Sequence, residues 1–169
     1  MKQIDLKKFS ARAATRKPVL AKFLKKLGSS RIRGISAIAL QAEKEAWEET
    51  ACLDCGNCCK KMTPTFSRKD IHRIAKHFNM TYQQFFDKWL EKRRDGDITN
   101  VKQPCQFLGK DNKCSIYPIR PVDCAGFPHL NRKDIKYQAA EKVYTSNLSY
   151  CPATLSFVEK LEAAIGKNL

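Results

Sequence analysis

The sequence predicts a mainly α fold in which amphipathic helices surround an irregular, cysteine-rich core. Three observations carry that prediction. Segments with apolar residues at i, i+3, i+4 and i+7 recur along the 169-residue chain, with helix start and stop signals at their ends. The stretch from 104 to 130 instead carries Pro104, Pro118, Pro121 and Pro128, so it forms no long helix. That stretch and the run CLDCGNCCKK at 52–61 together hold all but one of the eight cysteines.

The elements follow in chain order. In VLAKFLKKL, residues Val19, Leu20, Phe23, Leu24 and Leu27 share one helical face and lysines the other, until Gly28-Ser29-Ser30 stops the run. The first fifteen residues are expected to fray. A second helix is expected from about Ile35 to Thr50, acidic at Glu43, Glu45, Glu48 and Glu49. After the cysteine run, Ser67 is a plausible N-cap for a helix whose buried stripe is Ile71, Ile74, Ala75 and Phe78. Thr81 and Gln84 form a capping box for the next helix, TYQQFFDKWLEKRR, with Tyr82, Phe85, Phe86, Trp89 and Leu90 as its stripe. DGDITNVKQP is a loop with a short strand at 98–101. Pro152 opens a last helix, lined by Leu155, Val158, Leu161 and Ile165 and closed by Gly166. The domains expected are a basic helical extension at 1–50 and a cysteine-cluster domain at 51–169.

Composition narrows the class. At 43% hydrophobic and 29% charged, the chain can bury a core and is not disordered as a whole. Its start has no apolar stretch of a signal peptide, and no segment approaches the roughly 18 apolar residues needed to span a bilayer. The reading is cytoplasmic, with no membrane partner. The formal charge is +15, and residues 1–34 hold eleven lysines and arginines against one acid, Asp5. An anionic partner is one reading of that excess; a solvated basic face is the commoner one.

The cysteines carry the chemistry. They are Cys52, Cys55, Cys58, Cys59, Cys105, Cys114, Cys124 and Cys151. In a reducing compartment such density points to metal or catalysis rather than disulfides, and adjacent Cys58 and Cys59 bridge each other only with strain. Two residues between cysteines let a knuckle aim both thiolates at one ion, and here the knuckle is doubled as Cys52-x2-Cys55-x2-Cys58. The same run occurs in bacterial iron–sulfur ferredoxins, where a cysteine before proline completes the set; Cys151-Pro152 is such a pair, far away in sequence. All eight are candidate ligands. An iron–sulfur cluster is placed slightly ahead of zinc, in two sites or in one cluster with extra thiolates. Cys151, at the N-cap of the last helix, is expected to be a thiolate with a lowered pKa.

CLDCGNCCK, PCQFLGKDNKCSIYPIRPVDCAGFPH and SYCPATLSFVEKL together resemble the CxxCxxCC family, the YkgJ-like cysteine-cluster proteins. The resemblance covers about residues 48–162, with all eight cysteines in order. It implies a metal-binding bacterial protein with a zinc- or iron-chelating domain, and motif membership for Tyr117, Arg120, Pro121 and Pro128. Relatives often carry a basic residue after the third motif cysteine; here Ala125 follows Cys124. The family includes flagellin lysine N-methylases, which makes a small transferase or redox enzyme acting on a protein substrate the first alternative function. A zinc-knuckle module binding RNA or the ribosome is the second.

Other residues carry less. His72 and His77 lie five apart, about 140° round a helix, so they do not share an ion as an i, i+4 pair would. Both are read as solvent-facing. His129, five residues after Cys124, is a candidate ligand or a group that orients one. Arg120 is either a surface cation or a guanidinium close enough to lower a thiol pKa. No GxG, GxxxxGK[ST] or HExxH pattern occurs, so a self-contained nucleotide, methyl-donor or zinc-protease site is not expected.

Overall fold

The structure is a computed structural model and describes residues 4–130 and 135–168. It is mainly helical. In chain order the elements are α1 (Leu6–Ser29), α2 (Ile35–Glu49), α3 (Cys52–Cys55), α4 (Asn57–Lys61), α5 (Arg68–His77), α6 (Tyr82–Trp89), β1 (Leu90–Lys92), β2 (Ile98–Asn100), α7 (Val122–Gly126), α8 (Ile135–Ala140), α9 (Val143–Asn147) and α10 (Pro152–Ile165). They divide into two compact units. The helical unit is Met1–Cys55 with Pro128–Leu169, and the cysteine unit is Gly56–Phe127.

The helical unit has one apolar core. Phe9, Ala13, Leu20, Phe23, Leu24 and Leu27 from α1 meet Ala39, Ala42 and Ala46 from α2 and Leu155, Phe157, Val158, Leu161 and Ile165 from α10. Small alanines on α2 let α10 approach it closely. Gly28 serves α1 in the same way, since a Cβ there would sit 3.1 Å from the Ala140 backbone of α8. Ion pairs tie the surface of this core: Arg12 to Glu159 at 2.6 Å, Arg16 to Glu159 and Glu162, and Lys160 to Glu49 at 2.9 Å and Glu45 at 3.2 Å. Such solvent-accessible and part-buried surface pairs orient more than they stabilise.

Two expectations fail in α1. Among the described residues the start does not fray, and residues 1–3 of that expectation lie outside them: the helix begins at Leu6, where the Asp5 carboxylate accepts the Lys7 and Lys8 amides, and Phe9 and Ala13 are buried. Burial of that early turn supplies what propensity alone does not. Val19 is 48% exposed rather than part of the buried face, which is set by Leu20, Phe23, Leu24 and Leu27.

The cysteine unit has its own core of Phe66, Ile71, Ile74, Ala75, Phe85, Leu90, Phe107 and Ile116, with Phe78 and Trp89 packed among these rings. The expected capping box at Thr81 is formed, and the expected N-cap Ser67 also closes a capping box, with Asp70. The Asp70 amide donates to the Ser67 hydroxyl at 3.1 Å, the Gln84 amide donates to Thr81 Oγ1 at 3.2 Å, and both reciprocal bonds are present. The helix begun at Thr81 stops at Trp89, short of the expected Arg94. Residues Leu90–Lys92 pair antiparallel with Ile98–Asn100, closed by Arg93 donating to the Asp97 carbonyl at 2.7 Å across the Asp95-Gly96 turn. Strand pairing buries Leu90, whereas a longer helix would carry the charged Glu91–Arg94 run with no partner. Among the described residues no helix is long and apolar enough to cross a membrane.

Candidate metal centre

The CLDCGNCCKK run forms two short helices, α3 and α4, joined by Gly56. Gly56 has φ +57°, the left-handed conformation glycine tolerates best. A Cβ there would also lie 3.2 Å from the Asn112 backbone oxygen and 3.3 Å from Leu108 Cδ1. Glycine at this position is therefore favoured both by backbone conformation and by space.

In the cysteine unit, α4 places the sulfurs of Cys58 and Cys59 3.9 Å apart. The Cys105 amide donates to the Cys59 carbonyl at 2.8 Å, which pins the strand entering the proline-rich segment against α4. A bridge between Leu108 and Cys114, with Gly109 donating to the Lys113 carbonyl at 2.8 Å, closes the turn that brings Cys114 back. Cys124 sits on α7, whose start is held by two carboxylates. Asp70 Oδ1 accepts the Val122 amide at 3.2 Å, and Asp123 Oδ2 accepts the Thr65 amide at 2.9 Å. Arg73 extends the bracket, pairing with Asp70 at 2.7 Å and donating to the Ile119 and Arg120 carbonyls at 2.6 and 3.1 Å. This polar bracket organises a segment with almost no regular structure.

These five thiols act on one another electrostatically. Cys59 is pushed well up, first by its hydrogen bond with Cys58, then by burial and by the charges of Cys58, Cys105 and Cys124. The same contact lowers Cys58 to about 7. Cys124 is pushed up to about 12 by burial, then by Cys105, Asp123, Cys58 and Cys114. Cys105 and Cys114 are also raised, chiefly by burial. Arg120 works against that shift at Cys114, as the sharper reading of this residue expected, but burial outweighs it. The guanidinium lies 3.9 Å over the Tyr117 ring and donates to the Tyr117 carbonyl at 2.7 Å.

In the helical unit, Cys52 is exposed on α3, while Cys55 is buried at its end. Cys151 caps α10, with Pro152 at the first helical position, as expected. Its thiol does not follow the expected direction: burial pushes it up to about 11, although groups of Thr154 and the Ala153 amide favour the thiolate. A helix N-terminus stabilises an exposed thiolate, whereas Cys151 is only 6% exposed. The charge of Cys52 raises it further, which places these two sulfurs in each other's field. His72 and His77 are exposed, as expected, against the rings of Tyr82 and Phe78 respectively. His129 is half-buried with φ +63°.

None of the eight cysteines is joined in a disulfide. Among the described residues no group of three or more His, Cys, Asp or Glu side chains is already arranged to hold a metal ion. The donor chemistry nevertheless fits a thiophilic metal. Apart from Cys58, the gathered thiols are kept protonated by burial and mutual repulsion, and a cation reverses that balance by ionising them.

The profile of the CxxCxxCC family, described as "Putative zinc- or iron-chelating domain", matches residues 51–152. The chain belongs to the CxxCxxCC family. The matched region contains every cysteine, from Cys52 to Cys151. A CxxCxxCC chain is also similar, at 31% identity over 81 residues, to a protein of Methanocaldococcus jannaschii whose printed name is "Uncharacterized protein MJ0661". The aligned stretch is 46% of this chain, and the chain spans 43% of the length of that curated relative. No solved structure matches the chain. Around the family's cysteines the structure adds residues that spacing did not reveal: Asp70, Arg73 and Asp123, which hold α7, and Asn100 and Thr154, which lie beside Cys105 and Cys151.

Proposed function

We propose that this CxxCxxCC chain is a metal-binding protein whose cysteines hold an iron–sulfur cluster or zinc as thiolates, with iron–sulfur the first choice. The observation that supports this reading most is the grouping of Cys58, Cys59, Cys105, Cys114 and Cys124 in one compact unit, all free and within one another's electrostatic field. A structural zinc site takes four ligands. Five thiols, two of them adjacent, suit a cluster or a pair of ions sharing thiolates better than a single mononuclear ion. Cys52, Cys55 and Cys151 are the further candidate ligands, in the helical unit.

Anaerobic purification followed by absorption spectroscopy and metal analysis tests the proposal. A brown protein absorbing broadly in the visible with stoichiometric iron and sulfide is the expected result. A colourless protein with stoichiometric zinc would replace the cluster with zinc ions. A folded chain that takes up neither metal contradicts the reading altogether.

A further inference from the structure

Two buried donors lie beside cysteine sulfurs without a formed hydrogen bond. Asn100, 4% exposed at the end of β2, is fixed by its own amide donating to Thr63 Oγ1 at 2.9 Å. Its side-chain oxygen accepts Gln106 Nε2 at 3.0 Å, so the amino end is the one left over. The Cys105 sulfur is close enough to feel that group. Thr154 is fully buried at the third position of α10, directly inside the Cys151 N-cap. Its hydroxyl also lacks a formed bond and acts on the Cys151 sulfur. A buried donor left idle costs stability, and natural cores rarely keep one without a use.

A protonated thiol is a weak acceptor, whereas a metal-bound thiolate is a strong one. We infer that Asn100 and Thr154 are positioning residues for thiolate ligands, each keeping a buried donor in reserve for the sulfur of Cys105 or Cys151 once metal ionises it. The inference rests on the metal-binding reading above. It predicts a cost in the metal-free chain and a gain in the loaded one, which ordinary packing residues do not show.

The test titrates Zn2+ into the full, reduced chain in competition with a chromophoric chelator, alongside thermal melting of the metal-free form. Thr154→Val keeps the shape and removes the hydroxyl. It is expected to leave the metal-free melting temperature unchanged or higher while weakening zinc binding about ten-fold for the affected equivalent. Thr154→Ser restores a hydroxyl and is expected to recover most of that loss. Asn100→Asp sets a carboxylate beside a thiolate and is expected to weaken binding at least as much. Unchanged zinc affinity in both Thr154→Val and Asn100→Asp overturns the inference while leaving the metal-binding reading intact. A lowered metal-free melting temperature with unchanged affinity overturns it equally, because that is the signature of packing alone. If the unaltered chain takes up neither zinc nor iron, the metal-binding reading fails and this inference with it.

Discussion

Cys58 and Cys59 show how neighbouring residues of one type can differ. Hydrogen bonding with Cys59 holds Cys58 at about 7, while Cys59 is driven far above the ordinary thiol range. In the metal-free protein Cys58 is therefore expected to be the first thiol alkylated by iodoacetamide near pH 7, as peptide mapping would show. Cys59→Ala removes the partner and is expected to slow that reaction; an unchanged rate would refute the pairing. Gly56→Ala, strained at φ +57° and crowded by Asn112 and Leu108, is expected to destabilise the chain by about 1 kcal/mol or more in denaturant unfolding. At this scale the sequence was informative where chemistry follows from residue type. The eight cysteines, the Ser67 N-cap and the Thr81 capping box could be read directly. The rise at Cys151 could not, because it depends on burial by residues distant in sequence. For the same reason Asp123, which reaches back to Thr65, had no local signature.

At the scale of elements, periodicity located α2, α5 and α10 closely and the apolar faces of α1 and α6 in large part. It missed the end of α6, where pairing with β2 overrides helical propensity, and it gave no sign of α8 and α9, which are too short to show a period. It also gave no sign of α3 and α4, which are single turns broken by Gly56. Two substitutions separate element stability from ligation. Leu161→Ala on α10 leaves a cavity in the helical core and is expected to cost about 2–5 kcal/mol, with metal stoichiometry unchanged. Cys58→Ser on α4 is expected to lower metal content and loosen the 104–130 segment, measured by metal analysis and hydrogen exchange, since binding energy at such a site is also folding energy. His72→Ala, on the exposed face of α5, is expected to leave metal content unchanged.

For the molecule as a whole, the sequence predicted helices around an irregular cysteine-rich segment, and the mainly α fold agrees. It did not show that α1, α2 and α10 close one core, because that packing joins the two ends of the chain. The raised thiols give the metal-free protein a definite pH response. Cys124 and Cys151 ionise near 12 and 11 when folded, against about 8.5 in an unfolded chain. Their contribution is full below the unfolded value and is lost as pH rises toward the folded values, because above about pH 8.5 the unfolded state binds fewer protons. Urea unfolding of the metal-free chain is therefore expected to show stability falling between pH 9 and 11; a rising trend would contradict the buried thiols. The loaded protein responds in the opposite sense, since protons compete with metal for sulfur and binding weakens as pH falls. If the clustered cysteines are metal ligands, bound metal shields their sulfurs from reagents, and thiol footprinting reads that shielding residue by residue. The full chain is alkylated with and without bound metal, and each cysteine is quantified by mass spectrometry. Metal is predicted to protect Cys58, Cys59, Cys105, Cys114 and Cys124 together, with protection lost on chelation. Equal labelling of these five in loaded and metal-free protein would contradict their role as ligands.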